Sequence, residues 1–382
     1  MQLVKSIVST VPNRPSDVIA SSSRRHEAAA TRCPLIYALH SSEMYGTERM
    51  AMATAQGLAG DFEIIFIGPR GPAMDEARKL GFETRFFQSI PELARLLWGI
   101  LRQFDCLTFV STLPRYSAIC MVLNLFLRRR IRQIQMIHGG GDEREDFAGL
   151  KRFNAFDMTF VTVSDYSKER AIHYGIRPDR VAVVGNFLTE RQLASMPRRA
   201  QYDRDGVRTV AVISRIDPPK RVDLLLDALD RRGAELGDVT FRIFGWGPDL
   251  ERLRARAAKT HPNVQFAGYV DNVAAELAKA DLLLHTCPVE AFGLAVLEAM
   301  EVNLATLVPD RGGTARLVSD GVTGFTFHAD DPDHLAGRLV ELKDAPAQLL
   351  NRIARGARAS CDARFSADVS IRKYRQLFTP EP

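Results

Sequence analysis

From Pro34 onward, short apolar runs alternate with segments of helical period. LIYALH precedes a helix predicted from about Thr47, EIIFIG precedes AMDEARKLG, and CLTFVST precedes a helix through Leu127. RQIQMIHG, MTFVTVS and VAVVGNFL continue the series. Runs that are apolar on both faces and separated by helices predict a parallel sheet covered on two sides. The first doubly wound unit is expected to span 34–188. Between 189 and 206 the pattern lapses into ERQLASMPRRAQYDRDG, polar, charged and without strand periodicity, which reads as a linker. Alternation restarts with RTVAVISRI and a helix from Arg221. It continues through VTFRIFG, PDLERLRARAAK, VQFAGYV, NVAAELAKA, DLLLHTC, a further helix and LATLVPD, giving a second doubly wound unit over 207–365. The last segment, 366–382, contains SADVSIRKYRQLF, an amphipathic helix with Ser366 at its N-cap; the sequence leaves its packing partner undetermined, a return to the first unit being one option.

The length of 382 residues exceeds what one core usually serves, which supports two domains. With 46% hydrophobic and 25% charged residues the chain is ordinary for a globular protein. A net charge of +5 favours anionic ligands weakly and is too diffuse to argue for nucleic acid. Five scattered cysteines, odd in number and without a CxxC pair, predict neither a disulfide framework nor a zinc site, and point to a reducing cytoplasm. Residues 1–33, rich in Ser, Arg, Ala and Pro, read as a disordered leader or as the product of a start codon placed too early. The longest apolar run, AICMVLNLFL, is about half of the ~20 residues a membrane span needs.

Two such units leave a cleft, and open α/β sheets take ligands outside the carboxyl ends of their strands. Arg215 and Lys220 follow one predicted strand end. Beside a helix N-terminus they suit a diphosphate, although surface Arg and Lys are as often solvated charges. In HTCPVEAFGLAVLEAMEV a strand runs into a loop carrying Glu290, and a helix begins near Phe292. Free N–H groups at Gly293 and Leu294 would face a ligand. Glu298, further along the helix, could accept two hydrogen bonds from a ribose diol. Two acids eight positions apart are usually exposed charges, but here the first interrupts an apolar junction at the ligand-binding edge.

In this order and spacing, the segments VISRIDPPKRVDLLLDAL, IFGWGP, EAFGLAVLE and DRGGTARLVSDGVTGF resemble the retaining glycosyltransferases of family 4, glycosyl transferases group 1. The resemblance covers nearly the whole chain after residue 33. It implies the glycosyltransferase B (GT-B) fold: α/β, two doubly wound Rossmann-like domains facing a cleft, the first for the acceptor and the second for the nucleotide-sugar donor. It also implies that Glu290 contacts the transferred sugar, Glu298 the ribose, and Arg215 with Lys220 the leaving diphosphate. The amides of Phe292, Gly293 and Leu294 would help hold sugar and phosphate, and the base would lie near Tyr269 and Val270. In the first unit, Gly46-Thr47-Glu48 is similar to the family's first loop with one glycine fewer. His138 matches a histidine that hydrogen-bonds the donor sugar, whereas a lone His is more often structural. Ser164 and Asn186 match further motif positions, but Phe187 replaces the usual glycine after the Asn, so Asn186 is not assigned to ligand.

A nicotinamide enzyme would need GxGxxG, which FGWGPDL lacks, and no GxxxxGK[ST] is present for a P-loop. Metal sites at Asp203 or at Asp331 and Asp333 are unconvincing, since the first lies in the linker and the second reads as a helix start with Pro332 in its first turn. The expected activity is metal-independent sugar transfer with retention, from a UDP- or GDP-linked donor to a saccharide or lipid-linked acceptor. No cofactor other than the donor substrate is implied. Alternatives are an epimerase or hydrolase of the same fold and a non-catalytic nucleotide-sugar binder. FLRRRIRQ and ARLLWGILRQF combine basic and apolar residues that could rest on anionic lipid at the inner face of the membrane, or could simply pack on the sheet with solvated cations.

Overall fold

The computed structural model describes residues 33–139, 147 and 149–379. The expected leader therefore lies outside the described residues except for Cys33. The first sheet is built from β1 (Leu35–Ala38), β2 (Ile64–Gly68), β3 (Glu83–Phe86), β4 (Cys106–Ser111), β5 (Arg130–Ile137), β6 (Met158–Thr162) and β7 (Val181–Val183). Every pairing is parallel and the spatial order is β3-β2-β1-β4-β5-β6-β7. Its connections carry α1 (Gly46–Leu58), α2 (Pro72–Lys79), α3 (Ile90–Gln103), α4 (Pro114–Leu127) and α5 (Asp165–His173).

The second sheet holds β8 (Thr209–Ile213), β9 (Thr240–Phe244), β10 (Val264–Gly268), β11 (Leu282–Leu284), β12 (Thr306–Pro309) and β13 (Phe325–Phe327). Its order is β10-β9-β8-β11-β12-β13, again all parallel. Before it stands α6 (Glu190–Ser195). Its crossovers include α7 (Asp223–Arg232), α8 (Leu250–Thr260), α9 (Val273–Leu277) and α10 (Leu294–Glu301), and α11 (Pro332–Lys343), α12 (Ala347–Arg364) and α13 (Ala367–Phe378) follow. Buried apolar clusters lie on both faces of each sheet, as the doubly apolar strands require.

Helix starts follow capping chemistry. Ser164 caps α5 by accepting from the Ser167 amide, and Asp331 caps α11 ahead of Pro332, so Asp331 serves the helix start that its spacing predicts. The segment read as a linker contains α6, announced by the reciprocal Thr189 and Gln192 capping box that the periodicity reading passed over. Ser366 stands at the N-cap of α13 but makes no capping hydrogen bond. That helix packs Ile371, Tyr374 and Phe378 into the first unit's core, and the Thr108 hydroxyl donates to the Phe378 carbonyl at 2.7 Å.

The cysteine expectation is corrected. Cys33 and Cys106 form a disulfide, with Cα atoms 5.4 Å apart. The cause is strand register: β1 pairs β4 with Leu35 opposite Thr108, so two residues earlier Cys33 faces Cys106. A separation of 73 residues hides this from the sequence. Disulfides persist in oxidising surroundings, so the cysteine count no longer argues for a reducing compartment. Among the described residues no helix is long and apolar enough to cross a membrane.

Candidate active site

In both sheets strand order reverses beside the first strand, between β1 and β4 and between β8 and β11. Loops leaving neighbouring strands at such a point turn opposite ways and open a crevice. The crevices face each other. A cavity of about 440 Å³ is lined from the first unit by Tyr45, Gly46, Thr47, His138, Gly139 and Asn186. From the second it is lined by Ile213, Ser214, Arg215, Lys220, His285, Glu290, Phe292, Gly293, Leu294 and Ala295.

At its centre the Lys220 ammonium donates to Glu290 Oε2 at 2.7 Å. Lys220 is 9% exposed, and its backbone carbonyl accepts from the Thr286 hydroxyl, which fixes the short turn that presents it. Burial would raise the Glu290 pKa, but the charges of Lys220 and His285 hold it below its ordinary value. Burial would likewise lower that of Lys220, yet the Glu290 charge and Cys287 raise it. The pair is therefore ionised on both sides. Arg215, more exposed, pairs with Asp217 at 2.7 Å.

Gly293 caps α10 with φ of +96°, and a Cβ there would lie 2.5 Å from Thr314 Cγ2. Glycine meets both demands and leaves the first amides of α10 open toward the cavity. The loop before it is braced twice: Gly313 N–H donates to the Glu290 carbonyl at 2.6 Å, and Ser164 Oγ donates to the Ala291 carbonyl at 2.5 Å. Ser164 thus ties the first unit to the signature loop and does not line the central cavity. Phe292 is 2% exposed and stacks edge-on against Phe365. Leu294 packs into cores of both units, and a Cβ on Gly46 would stand 3.3 Å from Leu294 Cδ1, so Gly46 and Leu294 meet across the cleft.

His138 Nε2 has no hydrogen-bond partner among the described residues, and burial with the nearby His40 pushes its pKa down to about 4, leaving a neutral imidazole at the cavity wall. His285 is likewise driven to about 4 by burial. Its Nε2 stands 3.8 Å from Glu290 and lacks a hydrogen bond among the described residues. The motif reading missed His285; the signal was a polar residue closing the apolar run LLL. Asn186, not assigned to ligand from sequence, lines the cavity with its Oδ1 unpaired among the described residues.

An adjoining cavity of about 710 Å³ contains Tyr269 and Val270 with Arg215, Arg49, Phe244, Gly245 and Trp246. Gly245 permits this wall: a Cβ there would fall 1.9 Å from the Ser214 carbonyl oxygen. Tyr269 is 62% and Trp246 54% exposed, so this cavity carries two accessible aromatic side chains. Glu298 lines neither cavity. Burial raises its pKa to about 7, against the opposing charge of Arg49. On the other side a third cavity of about 230 Å³ is lined by His40, Thr47, Thr112, Pro114, Gln135 and His138 among others. Beneath it Glu48 is fully buried 3.7 Å from His40, and burial lifts its pKa to about 7 against backbone amides that lower it.

His285, Cys287 and Glu290 bring ligand atoms within 4.8 Å of one another, the one such grouping among the described residues. The Lys220 ammonium already occupies the Glu290 carboxylate there. Chemically, the cleft offers a cation pair and a helix N-terminus at its centre, aromatic faces on one side and a neutral, hydroxyl- and imidazole-lined hollow on the other.

The arrangement is that of a glycosyltransferase of the two-domain GT-B class. Residues 44–190 match the family described as Glycosyltransferase Family 4, and residues 198–360 the one described as Glycosyl transferases group 1. The chain belongs to this family of glycosyltransferases. The N-acetyl-alpha-D-glucosaminyl L-malate synthase of Bacillus anthracis is 26% identical over 276 residues, 68% of this chain and 71% of that protein. The phosphatidyl-myo-inositol mannosyltransferase of Mycobacterium tuberculosis (strain H37Rv) is 32% identical over 185 residues, about half of each chain at 47% and 48%. Among solved structures, Anabaena HepE in complex with UDP and glucose superposes with a TM-score of 0.74 at 19% identity, covering 90% of this chain and 99% of that one. At that identity the likeness shows the fold.

Proposed function

We propose that this chain transfers a sugar from a UDP- or GDP-linked donor to a saccharide or lipid-linked acceptor, with retention of anomeric configuration and without a metal or cofactor. The observation that carries this reading is the buried Lys220 and Glu290 pair, set beside Arg215 and the open start of α10 at two facing switch points. As the bond to the diphosphate breaks, negative charge grows on the leaving oxygens. Arg215, Lys220 and the α10 amides are placed to stabilise it, which is the service a metal would otherwise provide.

Glu290, held by Lys220, positions the sugar and supports the positive charge on its anomeric carbon; it is not the nucleophile. The acceptor attacks from the face the diphosphate leaves, and the departing phosphate takes its proton. His138 and the amides of Phe292, Gly293 and Leu294 hold the sugar and phosphate. The base lies between Trp246 and Tyr269 near Val270; Glu298, which lines neither cavity, is given no ligand contact. The UDP bound in the Anabaena relative supports a uridine-linked donor.

The test combines turnover with stereochemistry. Incubation of nucleotide sugars with acceptor should yield a glycoside whose anomeric proton signal matches the donor's configuration and whose formation survives chelation. An inverted product or loss of activity on chelation contradicts the mechanism. Conversion of the sugar without acceptor would instead identify an epimerase.

A further inference from the structure

We infer that His285, Cys287 and Glu290 form an inhibitory site for a thiophilic divalent cation, of which Zn2+ is the type, at the wall of the central cavity. The three come from one short stretch, HTCPVE, that leaves the end of β11. One imidazole nitrogen, one thiol sulfur and one carboxylate oxygen lie within 4.8 Å of one another. The Thr286 hydroxyl, between the first two, donates to the Lys220 carbonyl at 2.7 Å and anchors the stretch. His285 is 5% exposed, yet its Nε2 has no hydrogen-bond partner among the described residues and stands 3.8 Å from Glu290 Oε2. A buried polar atom left unpaired costs free energy, which a bound ion would recover. Cys120 and Cys361 are also free, but neither belongs to such a grouping among the described residues.

The donor set selects the ion. Nitrogen, sulfur and oxygen ligands at roughly 2.0–2.3 Å around a tetrahedral zinc stand about 3.3–3.6 Å apart, so the site needs only a small closure. Magnesium and calcium require an oxygen shell that a single carboxylate does not provide. Three protein ligands leave a fourth position, on the side of the cavity that His285 and Glu290 line. As sulfur bonds the ion, the Cys287 thiol gives its proton to solvent. The Lys220 ammonium, which donates to Glu290 Oε2 at 2.7 Å, must release that oxygen. Metal and ammonium therefore compete for one carboxylate.

That the ion inhibits rests on the proposed sugar transfer; that it binds does not. Coordination takes Glu290 away from the sugar and breaks the ion pair that holds it in place. The metal thus stops turnover instead of serving it, in keeping with a reaction that survives chelation.

Titration of the full chain with Co2+, which takes zinc's place, reads the site without turnover through a thiolate-to-cobalt charge-transfer band. The expected result is a band that saturates at one ion per chain, is abolished by Zn2+ and is unaffected by Mg2+. Cys287→Ser and, separately, Cys287→Ala should remove it, with thermal melting to confirm that each variant is folded. His285→Ala should weaken the affinity at least ~10-fold. Lys220→Met, which takes away the competing ammonium, should tighten it at least ~10-fold. In transfer assays Zn2+ should halt the wild type and a chelator should restore it. Cys287→Ser should then need at least ~10-fold more Zn2+ for the same fractional loss of its own metal-free rate. A wild type without the band, a band that survives loss of Cys287, or unchanged affinity in Lys220→Met overturns the site. Turnover that continues with the site filled overturns the inhibition. If the band forms but no sugar is transferred with or without metal, the site stands and the proposed function falls.

Discussion

Lys220 and Glu290 illustrate how one buried contact carries two different loads. At 2.7 Å each neutralises the other, and removing either leaves an uncompensated charge inside the protein. Lys220→Ala and Glu290→Ala should each lower turnover by at least ~100-fold while the chain still folds, by analogy with loss of a preorganised donor. Each should also lower the melting temperature. The joint replacement Lys220→Met with Glu290→Leu should recover stability without recovering activity, a separation that calorimetry and initial rates resolve; recovery of activity would refute the catalytic assignment. A second residue-scale prediction concerns pH. Glu48 and Glu298 are raised to about 7, so they favour the folded state most below about 4.5 and lose that contribution as pH rises to about 7. His138 and His285, lowered to about 4, act oppositely, contributing above about 6.5 and losing it as pH falls. Glu48→Gln removes one opposing contribution. Acidification from pH 7 to 4.5 should then cost the variant on the order of 3 kcal/mol more stability than the wild type, measured by denaturant titration.

At the scale of elements, strands buried on both faces were legible because EIIFIG or DLLLHTC leaves no polar side to confuse them. Of the four edge strands, β7 and β10 were read and β3 and β13 were not. β3 reads ETRF with its Glu exposed, and β13 has only three residues, so neither carries a period that could be recognised. The disulfide was invisible for a related reason, since it depends on which strands become neighbours. The strand-end residues of the site were legible where they interrupt an apolar run, as Glu290 does, and ambiguous where only the folded cleft shows whether the side chain reaches the cavity, as with Asn186. The α13 helix yields a third prediction. Phe378 is fully buried in the first unit's core although it ends the chain's last helix. Phe378→Ala should destabilise by about 3–5 kcal/mol in chemical denaturation, and an effect under about 1 kcal/mol would show that the helix is only loosely seated. Gly293→Ala should impair donor binding, because the added methyl must displace Thr314 and strain the αL cap of α10.

In the whole molecule, the site belongs to neither sheet alone. The second unit supplies charge through Arg215, Lys220 and Glu290. The first supplies Gly46, His138 and Asn186 to the same cavity, and Ser164 reaches across to Ala291. Two facing switch points therefore make a single cleft, with a diphosphate at its centre as the central claim. Titration calorimetry with UDP and GDP against the wild type and Arg215→Ala tests this most directly. The account predicts one site that binds one of the two nucleotides, with affinity weakened at least ~10-fold by the substitution and by added salt. Absence of binding by both nucleotides, or equal affinity in Arg215→Ala, would contradict it.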